Sequence, residues 1–263
     1  MVERALLTSE QGENLPFALR IKFWLNFVRT GHKREMHLLL HKAKLGKKPR
    51  KVADRWEGWN NVIKHQAGEA IAMRMLGEAL QLPGDQIERQ ERFAFVHDAR
   101  KHIEKAPYRD FTACDRRNLD SAFEEILDEV DPERRLSIAT NEEFFYKLFE
   151  RTDGMDLDAK ITNTPQDELL QYYIDSIFID GTITPPLERI AKTEARRQDL
   201  NEDTDRQRRL GMKYWDAERI VAEKVETLVW ELLGEKGIHL ASPRDVPNFI
   251  CTKIHEAIKR HSL

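Results

Sequence analysis

Apolar residues recur at three- and four-residue spacings along most of this chain, the period of an amphipathic helix rather than of a strand. Over residues 15–30, Phe17, Ile21, Trp24, Leu25 and Val28 fall on one face. The same pattern predicts helices over about 60–81, 86–105, 119–130, 141–151, 166–179, 214–234 and 244–260. Leu82-Pro83-Gly84-Asp85 and Ala106-Pro107 supply stops, because proline and glycine interrupt helical hydrogen bonding. Residues 152–165 read as a polar loop, with Thr164 or a neighbour of Pro165 capping the next helix, whose first turn carries Asp167 and Glu168. Asp180-Gly181 and Pro185-Pro186 break the chain again, and the charge-dense stretch 188–209 reads as a solvated helix or linker. No internal repeat is visible. The expected class is all-α, in one domain spanning 1–263.

Composition agrees. Of 263 residues, 34% are charged and 8% aromatic, with 12 Gly and 10 Pro, too few turn formers for a β-sandwich. The 40% hydrophobic content is enough to bury a core. Cys114 and Cys251 stand far apart and form no metal-type pair, which suits a reducing compartment. The opening MVERALLTSEQ lacks the apolar centre of a signal peptide, and no run approaches the roughly 20 apolar residues of a membrane span. Net charge is −3, favouring neither nucleic acid nor membrane. A cytoplasmic protein is expected.

Helical position then singles out four polar residues. His65 shares a stripe with Gly68, Ala72, Leu76 and Leu80. His97 and Asp98 follow the apolar run Phe93-Ala94-Phe95-Val96, and Asp175 lies between Tyr172 and Phe178 on an apolar side. A carboxylate in such a position costs several kcal/mol in order of magnitude unless it is paired, hydrogen-bonded or bound to metal. Two imidazoles and two carboxylates have a common solution in a divalent cation, and this donor mix suits Mn, Fe, Zn, Co or Ni better than calcium. Separate satisfaction by neighbouring side chains is the alternative.

The order of these residues resembles the HD-domain metal-dependent phosphohydrolase superfamily. Arg55-Trp56-Glu57-Gly58-Trp59-Asn60-Asn61-Val62-Ile63-Lys64-His65 is similar to the segment that brings in the first histidine. Val96-His97-Asp98-Ala99-Arg100-Lys101 is similar to the hydrophobic-His-Asp-x-x-Lys signature. Tyr173-Ile174-Asp175, with Asp180-Gly181 and Pro186-Leu187-Glu188-Arg189-Ile190 after it, is similar to the segment supplying the last aspartate. The likeness covers about 52–190, leaving 191–263 as a helical C-terminal extension and further helices before the core.

The resemblance implies an HD-like helical bundle in which His65, His97, Asp98 and Asp175 hold one divalent ion (Mn, Fe, Co, Ni, Zn or Mg). Asp180 is a rival for the last place, although its position before Gly181 also suits a turn. The implied reaction is hydrolysis of a phosphomonoester or phosphoanhydride, with a nucleotide as the expected substrate, by a metal-activated water. Asp98 and Lys101 are the expected catalytic residues, and Lys101, one turn past Asp98, is placed to touch a substrate phosphate. Arg116 and Arg117 are candidate further phosphate contacts. The sequence departs from the family in two places. Lys101 stands where some related 5′-deoxynucleotidases carry a glutamate, which argues against that activity, and Ala99-Arg100 replaces the usual Ile-Gly. His102 reads as a helix-surface residue.

The basic stretch 32–51, with His37 and His41, reads as a solvated face rather than a nucleic-acid arm, since no stacking aromatics are interleaved. Trp56 and Trp59 read as packing anchors. The tail, with Trp215, Ile220, Val221, Val225, Leu228, Val229 and Leu232 in helical register, is expected to pack on the core or on a second copy. Three functions stay open: the hydrolase, a metal- or nucleotide-binding regulatory module with weak turnover, and a structural helical protein whose basic arm binds nucleic acid.

Overall fold

The computed structural model describes residues 50–52, 55–57, 60–100, 113–149, 156–179 and 182–261. They form a helical bundle carrying two short antiparallel hairpins, which periodicity alone did not predict. The first pairs β1 (Arg50–Val52) with β2 (Arg55–Glu57). The expected helix at 15–30, most of the basic stretch, Trp59, Lys101, His102 and Asp180 lie outside the described residues.

α1 (Asn60–Ala79) and α2 (Gly84–Val96) fold back on each other through a tight turn. Gln81 takes the left-handed conformation (φ 56°) just past α1. The Leu82 amide then donates to the Gly77 carbonyl at 3.0 Å, and the Gln81 amide to Glu78 at 3.1 Å, which satisfies carbonyls the helix end leaves open. Gly77 also lets α2 approach, since a Cβ there would lie 2.9 Å from Ile87 Cγ1. α2 ends earlier than the periodicity predicts and tightens into a 3-10 turn, His97–Arg100.

α3 (Ala113–Val130), α4 (Arg135–Ala139) and α5 (Glu142–Phe149) follow. The predicted polar loop is corrected by α6 (Leu157–Asn163), whose N-cap Asp156 accepts a hydrogen bond from the Ala159 amide at 2.8 Å. The cap, together with burial of Ile161 in the core, makes a helix of seven residues that read as loop. Thr164 does not cap α7 (Gln166–Ser176); its hydroxyl donates back to the Lys160 carbonyl at 2.8 Å, and Pro165 occupies the N-cap.

After α7, β3 (Phe178–Ile179) pairs with β4 (Thr182–Ile183), Phe178 opposite Ile183. Pro185 and Pro186 then open α8 (Pro186–Glu194), proline at the first helical position losing no intrahelical bond. This hairpin turns α8 back toward the end of α7. The charge-dense stretch resolves into α8, α9 (Asp199–Glu202) and α10 (Thr204–Leu210). α11 (Tyr214–Glu235) and α12 (Val246–His261) complete the bundle.

α7 is the hub. It packs against α1, α2, α4, α8 and α11, and Leu170, Tyr173 and Ile174 are fully buried. Val221, Val225, Val229 and Leu233 of α11, and Val246, Ile250 and Ile254 of α12, belong to the same apolar core as α1, α2 and α7. Among the described residues no helix is long and apolar enough to cross a membrane.

Candidate metal centre

Three elements converge on one buried polar cluster. α1 supplies His65 and Glu69, the 3-10 turn after α2 supplies His97 and Asp98, and α7 supplies Asp175 near its C-terminal end. His65 Nε2 lies 3.4 Å from Asp175 Oδ1 and 3.7 Å from Asp98 Oδ2. His97 Nε2 lies 3.8 Å from Asp175 Oδ1 and 3.6 Å from Asp98 Oδ1. All four residues picked from the sequence are therefore brought together. Arg116 and Arg117 lie in the first turns of α3, but their side chains, like the whole of Lys101, are outside the described residues.

Glu69 was missed. It is fully buried, with Oε1 2.9 Å from His65 Nε2 and Oε2 3.3 Å from His97 Nδ1. One donor atom from each of His65, Glu69, His97 and Asp175 falls within 4.8 Å of the others. The signal was present in the chain, because a residue four positions after His65 shares its face as surely as one three positions after.

The tautomer of His97 follows from its neighbours. Nδ1 lies 2.9 Å from the Ala94 carbonyl, which can only accept, so Nδ1 carries the proton. With that proton on Nδ1, Nε2 is the ring atom that can present a lone pair to the cluster, and it is buried without a hydrogen-bond partner. A backbone carbonyl on one ring nitrogen, leaving the other facing carboxylates, is the usual support of a metal-ligating histidine. Phe93 at 6.1 Å and His65 at 5.9 Å, between ring centroids, flank the imidazole.

Electrostatics point the same way. Burial disfavours charge on His65, but Glu69 and Asp175 outweigh it and push the imidazole up to about 10. Burial also raises Glu69 above the usual carboxylate range, against the pull of both imidazoles and with help from Asp175. The neighbouring carboxylates thus favour a proton on His65, and burial chiefly favours one on Glu69. A metal ion would take the place of those protons.

Arg189 of α8 closes the side away from the imidazoles. Its Nη2 lies 3.5 Å from Asp175 Oδ2, its Nη1 donates to Glu218 Oε1 at 3.1 Å, and its Nε donates to the Phe178 carbonyl at 3.0 Å. Burial works against the guanidinium's charge, and Asp175 and Glu218 more than restore it. Burial pushes Glu218 up to about 7, with Arg189 opposing and Asp175 reinforcing. Phe178 sets its ring edge against His65, 6.2 Å between centroids. Gly68 makes room for it, since a Cβ there would lie 2.6 Å from Phe178 Cε1.

The residues fit a divalent ion. Nitrogen and oxygen ligands about 2.0–2.2 Å from a metal stand roughly 3.3–3.6 Å apart around a tetrahedron. Asp175 Oδ1 lies 3.4 and 3.8 Å from the two imidazole Nε2 atoms, and His65, Glu69, His97 and Asp175 each offer one donor atom to a common space. The cluster has the capacity for one such ion, at a catalytic or a regulatory site. Comparison of the chain with models of known families, with curated proteins and with solved structures gave no match.

Proposed function

We propose that the protein is a metal-dependent phosphohydrolase of the HD type, acting on a phosphomonoester or phosphoanhydride with a nucleotide as substrate. The observation that carries this reading is the Nε2 atom of His97, buried and without a hydrogen-bond partner while Nδ1 is tied to a carbonyl. The order His65, His97-Asp98, Asp175 along the chain supports it.

His65, His97, Asp98 and Asp175 would hold the ion, with Glu69 as a further carboxylate beside His65. When bound, a divalent cation acidifies a water at neutral pH and offsets charge on phosphoryl oxygens. The chain's own part is to hold His97 in one tautomer through Ala94 and to fix Asp175 against Arg189. It also walls the site with Phe93 and Phe178, so that its charges act in a medium less screened than water. Lys101 is proposed to contact the substrate phosphate, with Arg116 and Arg117 as further candidate phosphate contacts.

The test has two parts. Purified wild-type protein should carry stoichiometric divalent metal that Asp98→Asn loses, and with Mn²⁺ or Co²⁺ it should release phosphate from at least one of a panel of nucleotides and an aryl phosphate. Stoichiometric metal with no release from any substrate would replace the hydrolase with a regulatory metal site. Failure to bind metal would end both readings.

A further inference from the structure

Asp175 is the penultimate residue of α7 and is 16% exposed. The C-terminal end of a helix carries partial negative charge, so a carboxylate there is disfavoured twice, by the dipole and by burial. Its two oxygens have separate surroundings. Oδ1 faces the imidazole nitrogens of His65 and His97, and Oδ2 faces Arg189. Arg189 in turn is not free to follow Asp175, because the Phe178 carbonyl takes Nε and Glu218 takes Nη1. The planar guanidinium is thus pinned by β3 and α11 and presents its remaining edge to α7. Arginine suits this place because its donors leave in fixed, divergent directions, which an ammonium cannot reproduce.

We propose that Arg189 is a positioning residue of the metal centre, holding Asp175 so that Oδ1 turns toward the imidazoles and Oδ2 turns away. This rests on the reading of the cluster as a metal site. Asp175 then meets an ion through one oxygen, in an orientation set before the ion arrives. Glu218, from a helix well outside the stretch that resembles the HD core, becomes part of the support, linking α11 to the site through Arg189.

The experiment is a Mn²⁺ titration of full-length wild type, Arg189→Ala and Arg189→Lys. Folding is checked by circular dichroism and thermal melting, and the bound Mn²⁺ is examined by electron paramagnetic resonance. Loss of an outer support of this kind weakens metal binding by about 10–100-fold. That loss is expected in Arg189→Ala, with an altered Mn²⁺ spectrum. Arg189→Lys keeps the charge but not the three-way fork and should fall between. Mn²⁺ affinity and spectrum matching wild type in a folded Arg189→Ala, or in Arg189→Lys where the alanine variant does not fold, would overturn the assignment. Absence of Mn²⁺ binding by wild type is a different result, overturning the metal reading itself and Arg189's role with it.

Discussion

At the N-terminal end of α7, Asp167 and Glu168 are buried among cations from three other helices. Arg89 and Arg135 reach Asp167 at 2.7 and 3.2 Å, and Lys147 and Arg135 reach Glu168 at 3.0 and 3.5 Å. The helix dipole favours negative charge at this end as well. At the other end of the same helix Asp175 shares its space with Asp98 and Glu69, which come with two imidazoles, and Arg189 is the fixed cation beside it. Here the dipole opposes the carboxylate. Both ends bury acidic side chains, so burial is not what sets them apart. One end pairs its carboxylates with cations of the protein; the other sets Asp175 among two imidazoles and further carboxylates, an arrangement with the capacity for one divalent ion.

Breaking each end in turn gives the largest expected effects. Asp175→Ala should lower Mn²⁺ affinity by at least about 100-fold, worth about 2.7 kcal/mol at 1.36 kcal/mol per decade. Its stability should change little, because Arg189 keeps Glu218 and crowding around Glu69 is relieved. Glu168→Ala should do the reverse. Removing one partner of a buried ion pair costs about 3–5 kcal/mol, and the half-exposed Lys147 and Arg135 can regain water, so about 2 kcal/mol of stability is expected, with Mn²⁺ affinity unchanged. Urea denaturation and Mn²⁺ titration of both variants check this. Equal loss of metal affinity in the two would mean that the ends are not independent.

Gly68→Ala probes how the ligand end is shaped without touching a charge. The added methyl meets Phe178, which is 1% exposed and has no room to retreat, and overpacking of this kind costs about 1–3 kcal/mol. Phe178 also presents its ring to His65 and its carbonyl to Arg189, so Mn²⁺ affinity should fall together with the melting temperature. A stability loss with unchanged affinity would show that Phe178 moves without disturbing the site.

The contrast between the two ends was partly legible in the chain. His65, His97, Asp98 and Asp175 could be picked because each interrupts an apolar pattern, and a polar residue on a core face is conspicuous in one dimension. Glu69 interrupts the pattern just as clearly, but the apolar stripe runs from His65 through Gly68, three residues on, and a glutamate four residues on reads as the edge of a solvated face. Arg189 and Glu218 could not be found this way. They sit in charge-rich segments where nothing local separates a buried charge from a solvated one, and only the β3–β4 hairpin folds α8 back onto Asp175. The same holds for Asp167 and Glu168, which read as dipole-favoured residues of a first turn although their partners come from α2, α4 and α5. The main helices were legible because their period persists over several turns. α6 was not, because seven residues held by one Asp156 cap carry too little period to register.

A third buried carboxylate separates burial from crowding. Glu226 of α11 is 4% exposed, and its Oε1 has no hydrogen-bond partner among the described residues. Burial pushes it up to about 7, with Arg244 pulling down and Glu223 pushing up. Its charge is felt at Tyr173 of α7, and it is not one of the residues of the metal cluster. Because the folded-state value is above the unfolded one, near 4.5, the stability linked to its proton is present at low pH and lost as pH rises through about 7. Glu226→Gln removes the buried anion and should raise stability by about 1–2 kcal/mol at pH 8, a value discounted from the full shift for local screening, and by much less at pH 5. Urea midpoints of variant and wild type at the two pH values check the sign. Mn²⁺ affinity should not change, because a buried carboxylate without converging imidazoles is only a cost to folding. If Glu226→Gln were neutral at pH 8, burial alone would not raise a carboxylate in this bundle. The upward shift at Glu69 would then have to be credited to its neighbour Asp175 rather than to burial.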